Sequence, residues 1–205
     1  MEKNALIFTI SGENYRKVIQ YRQATDHHII QSQIKNKGHA LITNLYGVHA
    51  FTTINEVPEV GAAVPWYGTL GGGYRYTFTL RTEGGQLALD NIASENALIC
   101  PEILPSLELT LAAGFFKQDT LEKPEPTNLF AIFNHWNLVD EHAAQEEMIF
   151  RITPDIYPRL INWTHWGKDI NGYKFLFTPL SVGVEVIVHQ EANGEEINLT
   201  ADENW

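Results

Sequence analysis

A single cysteine in 205 residues excludes an internal disulfide and any two-cysteine metal motif. That residue, Cys100, lies between Ile99 and Pro101 in an apolar segment, where an inert buried thiol is expected rather than a thiolate. No apolar run reaches the roughly 18 residues that a membrane-spanning helix needs, so no membrane association is expected. The opening residues, MEKNALIFTISGENYRK, place Glu2 ahead of a very short apolar run and carry no small-residue cleavage site, unlike a secretory signal. The chain is therefore read as cytoplasmic. A mature form whose signal has been removed is the alternative, and only there would the sequons Asn162-Trp163-Thr164 and Asn198-Leu199-Thr200 matter.

Catalytic and cofactor motifs are missing as well. No serine lies in GxSxG, which removes the α/β-hydrolase elbow. The glycine-rich stretch Gly68 to Gly73 runs into Tyr74 and Arg75, not into the Lys and hydroxyl of a phosphate loop. Tyr76 stands where a dinucleotide loop needs its third glycine, and the segment leads into a strand, so no helix dipole faces an anion. These glycines are read as loop residues, and the sequence implies no cofactor. Positive charge is scarce too: 14 Lys and Arg face 25 Asp and Glu, a net charge of −11. Residues 1–100 are balanced and residues 101–205 hold the whole acidic excess. Nucleic acid binding needs a basic footprint and is not expected. The cluster Arg16, Lys17, Arg22, Lys35 and Lys37 is read as a solvated face.

What is present is a globular composition, 44% hydrophobic against 19% charged, long enough to bury a proper core. Its clearest element is Gly71 to Arg81. Tyr74, Tyr76, Phe78 and Leu80 alternate with Arg75, Thr77, Thr79 and Arg81, which puts an apolar set on one face and a polar set on the other. Further strands are predicted at Asn4–Ile10, His28–Ile34, Ala40–Ile54 (bent at Gly47), Gln86–Asp90, Ala97–Cys100, Leu107–Phe116, Asn128–Trp136, Met148–Ile152, Tyr173–Phe177 and Val182–His189. Asn193-Gly194 closes a hairpin onto Glu196–Leu199.

Ser11–Ala24 fits a helix with Tyr15, Val18, Ile19 and Arg22 on one side, or a strand in which Tyr15, Lys17, Ile19 and Tyr21 alternate; β-branched and aromatic content favours the strand. Asp140–Met148 is a candidate short helix capped by Asp140. Thr153-Pro154-Asp155 starts another, with Ile156, Leu160 and Trp163 on one face. The polar segment Lys117–Asn128 is read as an exposed loop in preference to a domain boundary. The expectation is one domain over 1–205, mainly β: an antiparallel β-sandwich or closed β-barrel with one or two short helices near 140–163.

Two patterns bear on function. His142 and Glu146 stand at i, i+4 on the expected helix, a ligand-competent spacing that His135 or His165 would extend. A solvated helix face accounts for the same residues, and no metal site is assigned. The second pattern is a density of aromatic rings beside amides, in Asn134-His135-Trp136-Asn137 and Asn162-Trp163-Thr164-His165-Trp166, with Trp66 and Tyr67 as further members. Flat rings supply contact area and amides fix orientation, a mixture that suits a sugar, a flat metabolite or a partner surface; the same rings also suit a core.

The expected ligand-binding set is Trp66, Tyr67, Arg75, Arg81, Trp136, Trp163 and Trp166, with Arg75 and Arg81 holding the anionic end of a ligand. The leading reading is a non-catalytic β domain that binds a small metabolite or glycan. One alternative is a small-molecule-converting enzyme with His135, His142 or His165 as general base. The other is a protein-interaction or assembly subunit, for which homo-oligomers come into question.

Overall fold

A computed structural model describes residues 4–37, 40–43, 49–52, 68–69, 73–92, 104–120, 139–163, 171–180 and 183–200. In chain order the elements are β1 (Asn4–Ser11), α1 (Gly12–Lys37), β2 (Ala40–Thr43), β3 (His49–Thr52), β4 (Gly68–Thr69), β5 (Tyr74–Arg81) and β6 (Gly84–Asn91). Then come β7 (Leu107–Leu111), β8 (Phe116–Thr120), β9 (Val139–His142), β10 (Glu147–Ile152), α2 (Tyr157–Trp163), β11 (Tyr173–Leu180), β12 (Gly183–Gln190) and β13 (Glu196–Asn198). The chain divides into two compact units, one of Met1–Tyr15, Tyr76–Ala88 and Glu108–Trp205, the other of Arg16–Arg75 and Leu89–Leu107.

The first unit is built on two antiparallel sheets. One has the order β8-β1-β10-β9; the other, which the first unit shares in large part, has the order β13-β12-β11-β5-β6-β7. Alternation decides what each strand buries. Tyr76, Phe78 and Leu80 on β5, Phe175 and Phe177 on β11, and Val184, Val186 and Val188 on β12 are all buried. On β10 the buried set is Met148, Phe150 and Ile152. Strand β1 lies between β8 and β10 and buries Ala5, Leu6, Ile7 and Phe8 in succession, so it reads as a continuous apolar run rather than an alternation.

Phenylalanines fill the space between the sheets. The Phe8 ring centre is 5.1 Å from that of Phe78, 4.9 Å from Phe175 and 5.6 Å from Phe177. Phe150 adds contacts at 5.0 Å to Phe78 and 5.3 Å to Phe177. Each fully buried ring contributes about 1.5–3 kcal/mol of transfer free energy. The fold is thus mainly β and a sandwich; among the described residues no barrel closes. The second unit carries a small antiparallel sheet, order β3-β2-β4, together with most of α1.

Six expected elements change. Leu107–Phe116 is not one strand: β7 ends at Leu111 and β8 begins at Phe116. Ser11–Ala24 and His28–Ile34 are not strands but parts of the single helix α1. Its buried residues Tyr15, Val18, Arg22, Thr25 and Ile29 recur at alternating steps of three and four, one face of a helix. Ala40–Ile54 is not one bent strand: β2 and β3 pair with each other, Ile42 opposite Ala50. Asp140–Met148 is not a helix. It is the β9–β10 hairpin, closed by a 3-10 turn over Ala143–Gln145 and by Glu146 in the left-handed region at φ 50°. Burial of Met148 and Phe150 on the sheet outweighs a short isolated helix. The expected loop Lys117–Asn128 begins as strand: Lys117–Thr120 belongs to β8, paired with β1.

The helix expected from Thr153 begins only at Tyr157; residues 154–156 form the turn that leads into it. The Thr153 carbonyl accepts from the N–H groups of Ile156 and Tyr157 at 3.1 and 2.9 Å. Pro158 falls in the first turn of α2, where its missing N–H has no intrahelical partner to lose. Ala97–Cys100 and Asn128–Trp136 lie outside the described residues.

Candidate functional site

Inside the second unit, α1 and the start of β5 enclose a polar cluster. The helical register carries Arg22 and Thr25 to buried positions, 4% and 6% exposed, on the face that also buries Val18 and Ile29. Tyr74 opens β5 and is buried by the same alternation that buries Tyr76 and Phe78. Its hydroxyl oxygen lies 2.6 Å from Asp26 Oδ1 and 2.9 Å from the Arg22 carbonyl oxygen. The buried Asn91 side chain, at the end of β6, hydrogen-bonds to the same hydroxyl. The Arg22 guanidinium sits over the Tyr74 ring, 5.8 Å from its centre, in a cation–π contact. Tyr21 approaches that ring edge-on at 6.3 Å and donates its hydroxyl to the Pro105 carbonyl at 2.9 Å. Ser106 donates to Asp90 nearby in the chain.

The electrostatics follow from this enclosure. Protein atoms crowd the Asp26 carboxyl, although the residue keeps some contact with solvent. Loss of hydration pushes its pKa up to about 6, against the opposing pull of the Tyr74 hydrogen bond and the Arg22 charge. Burial, followed by the neighbouring Asp26 carboxyl, raises Tyr74 far above the usual phenol range. Burial also raises Tyr21. The cluster is therefore a weak acid poised near neutrality, seated on a phenol that keeps its proton. No motif marks it in the sequence. The only readable trace is Arg22 and Asp26 standing four apart, which gains meaning once the helix is granted.

The expected site residues fall elsewhere. Trp163 ends α2, half-exposed, with its ring edge-on to the buried Tyr173 ring at 6.5 Å. Asn162 beside it is exposed. Arg81 and Lys174 each lie 3.0 Å from the Glu191 carboxylate, one on each oxygen. Lys174 first, then Arg81, holds Glu191 below the usual carboxylate range. Arg81 thus shares one carboxylate with Lys174. Arg75 is half-buried on β5 and has partners of its own. His142 is exposed at the end of β9, opposite Glu147 in the hairpin register, so the helical His142–Glu146 spacing does not arise. Trp66, Tyr67, His135, Trp136, His165 and Trp166 lie outside the described residues.

Among the described residues no three His, Cys, Asp or Glu side chains converge as metal ligands, and no helix is long and apolar enough to cross a membrane. The class that the fold defines is an antiparallel β-sandwich with a buried aromatic core. No known protein family, curated protein or solved structure matches the chain.

Proposed function

We propose that the protein is a non-catalytic β domain that binds a small metabolite or glycan at its surface, with Trp163 and Asn162 as described members of the contact. The observation that carries this reading is the setting of Trp163. Trp163 is partly exposed at the end of α2, and its ring stands edge-on to the buried Tyr173 ring. A ring packed in this way has little conformational entropy to lose on binding, and the adjacent exposed amide can hydrogen-bond a ligand hydroxyl. Phe8, Phe78, Phe150, Phe175 and Phe177 occupy the space between the sheets, which favours a surface contact over an enclosed one.

Saturation-transfer NMR against a panel of oligosaccharides and flat metabolites tests the reading. The expected result is at least one binder whose affinity falls about tenfold, or about 1.4 kcal/mol, in a folded Trp163→Ala variant. A panel without a binder, or binders indifferent to Trp163→Ala, overturns it.

A further inference from the structure

The geometry points to a proton latch between α1 and β5: Asp26, the Tyr74 hydroxyl and the Arg22 carbonyl form a hydrogen-bond chain that is complete only when the Asp26 carboxyl carries a proton. A phenolic hydroxyl has one hydrogen to donate and two lone pairs to accept with. Around Tyr74 stand three partners: Asp26 Oδ1 at 2.6 Å, the Arg22 carbonyl oxygen at 2.9 Å, and the Asn91 side chain. With Asp26 ionised, the single hydrogen goes to the carboxylate, and the carbonyl oxygen faces a lone pair. With Asp26 protonated, the carboxyl donates to the phenol, Asn91 donates its amide hydrogen to it, and the phenol donates to Arg22. Every position on the hydroxyl is then filled. Tyr74 is only 5% exposed, so water has little room to repair the first arrangement. The phenol's bond to the carboxylate favours ionisation, but burial of the charge outweighs it, and the protonated form alone fills every position on the hydroxyl.

The surrounding charges do not cancel this. On α1 the Arg22 guanidinium, over the Tyr74 ring, favours the carboxylate, yet burial outweighs it. Tyr21, from the same helix, faces the ring and stays protonated. From β6, Asn91 is neutral and Asp90 acts on Tyr21. His27 and His28 follow Asp26 on α1, so a site-resolved signal is required. Acidification completes the bonds that tie α1 to β5; a rise in pH withdraws one of them. The latch is independent of the ligand reading.

The test is carbon-13 NMR of the full chain, following Asp26 Cγ and Tyr74 Cζ from about pH 4.5 to about pH 8, a range that spans ordinary carboxylates and neutrality. The expected result is that the two carbons move together, with one midpoint near pH 6. In Asp26→Asn, whose amide donates as the protonated acid would, Tyr74 Cζ stays at its low-pH position throughout. An Asp26 midpoint near 4, the ordinary carboxylate value, or a Tyr74 signal that does not follow Asp26, overturns the latch. Both readings come from the unmodified chain, so they decide the matter even if the variant does not fold.

Discussion

Replacing Phe8 by alanine tests whether the two sheets share one close-packed core. Phe8 is 0% exposed, and its ring meets Phe78, Phe116, Phe175 and Phe177 at centre distances between 4.9 and 5.6 Å. Burying a phenylalanine side chain is worth about 1.5–3 kcal/mol, and the cavity left in a rigid surround brings the usual Phe→Ala loss to about 3–5 kcal/mol. The ring contacts overlap with this figure and are not added to it. Against a total stability of about 5–15 kcal/mol, the variant keeps a fold but a fragile one. Phe116 is the control. It touches the same cluster but is half-exposed, so Phe116→Ala should lose about 1–2 kcal/mol. Urea unfolding followed by far-ultraviolet circular dichroism reads both. With a slope of about 2 kcal/mol per molar, Phe8→Ala lowers the midpoint by about 1.5–2.5 M and Phe116→Ala by about 0.5–1 M. Equal losses in the two variants would refute the argument, because they would mean that the sheets do not close over Phe8.

Two further outcomes follow from single positions. The folded-state pKa of Asp26, about 6, stands above its ordinary 3.8, so its stabilising contribution is fully present below pH 3.8 and is lost as pH rises through about 6. Asp26→Asn removes that dependence and should be more stable than the parent at pH 8 by about 2–3 kcal/mol, with the gap closing toward pH 4, as read by urea midpoints across pH. Gly84 sits at φ +99°, and a Cβ there would strike the Leu111 carbonyl, whereas Gly114 at φ +94° has open space around it. Gly114→Ala therefore bears the backbone strain alone, about 1–3 kcal/mol, and Gly84→Ala must lose more; melting temperatures compare them.

The sandwich was legible where one face alone is buried. Tyr74–Arg81 alternates cleanly because β5 has a packed face and a polar one, and the register carries that pattern into β11, Phe78 opposite Phe175. The long helix was hidden for a physical reason. Two of its buried positions, Arg22 and Thr25, are polar, so the apolar stripe is interrupted where helical periodicity would show. The Asp140–Met148 segment reads as a helix because Asp140 at a cap position and His142 and Glu146 at i, i+4 are local signals, while the pairing of β10 with β1 is not. The polar cluster was invisible for a similar reason. Asp26 and Tyr74 are 48 residues apart, and nothing in either neighbourhood announces the other.

The position of β1 has a consequence for biosynthesis. Its Leu6 lies opposite Gln118 on β8 and Ile152 on β10, so both flanking strands are translated more than a hundred residues later. Until then ALIF has no sheet to join, and the loop that must close around it is long. Non-local pairing of this order slows folding and leaves an adhesive segment waiting. Newly made chains should therefore be most prone to aggregate before β10 has emerged, with β1 as the adhesive segment.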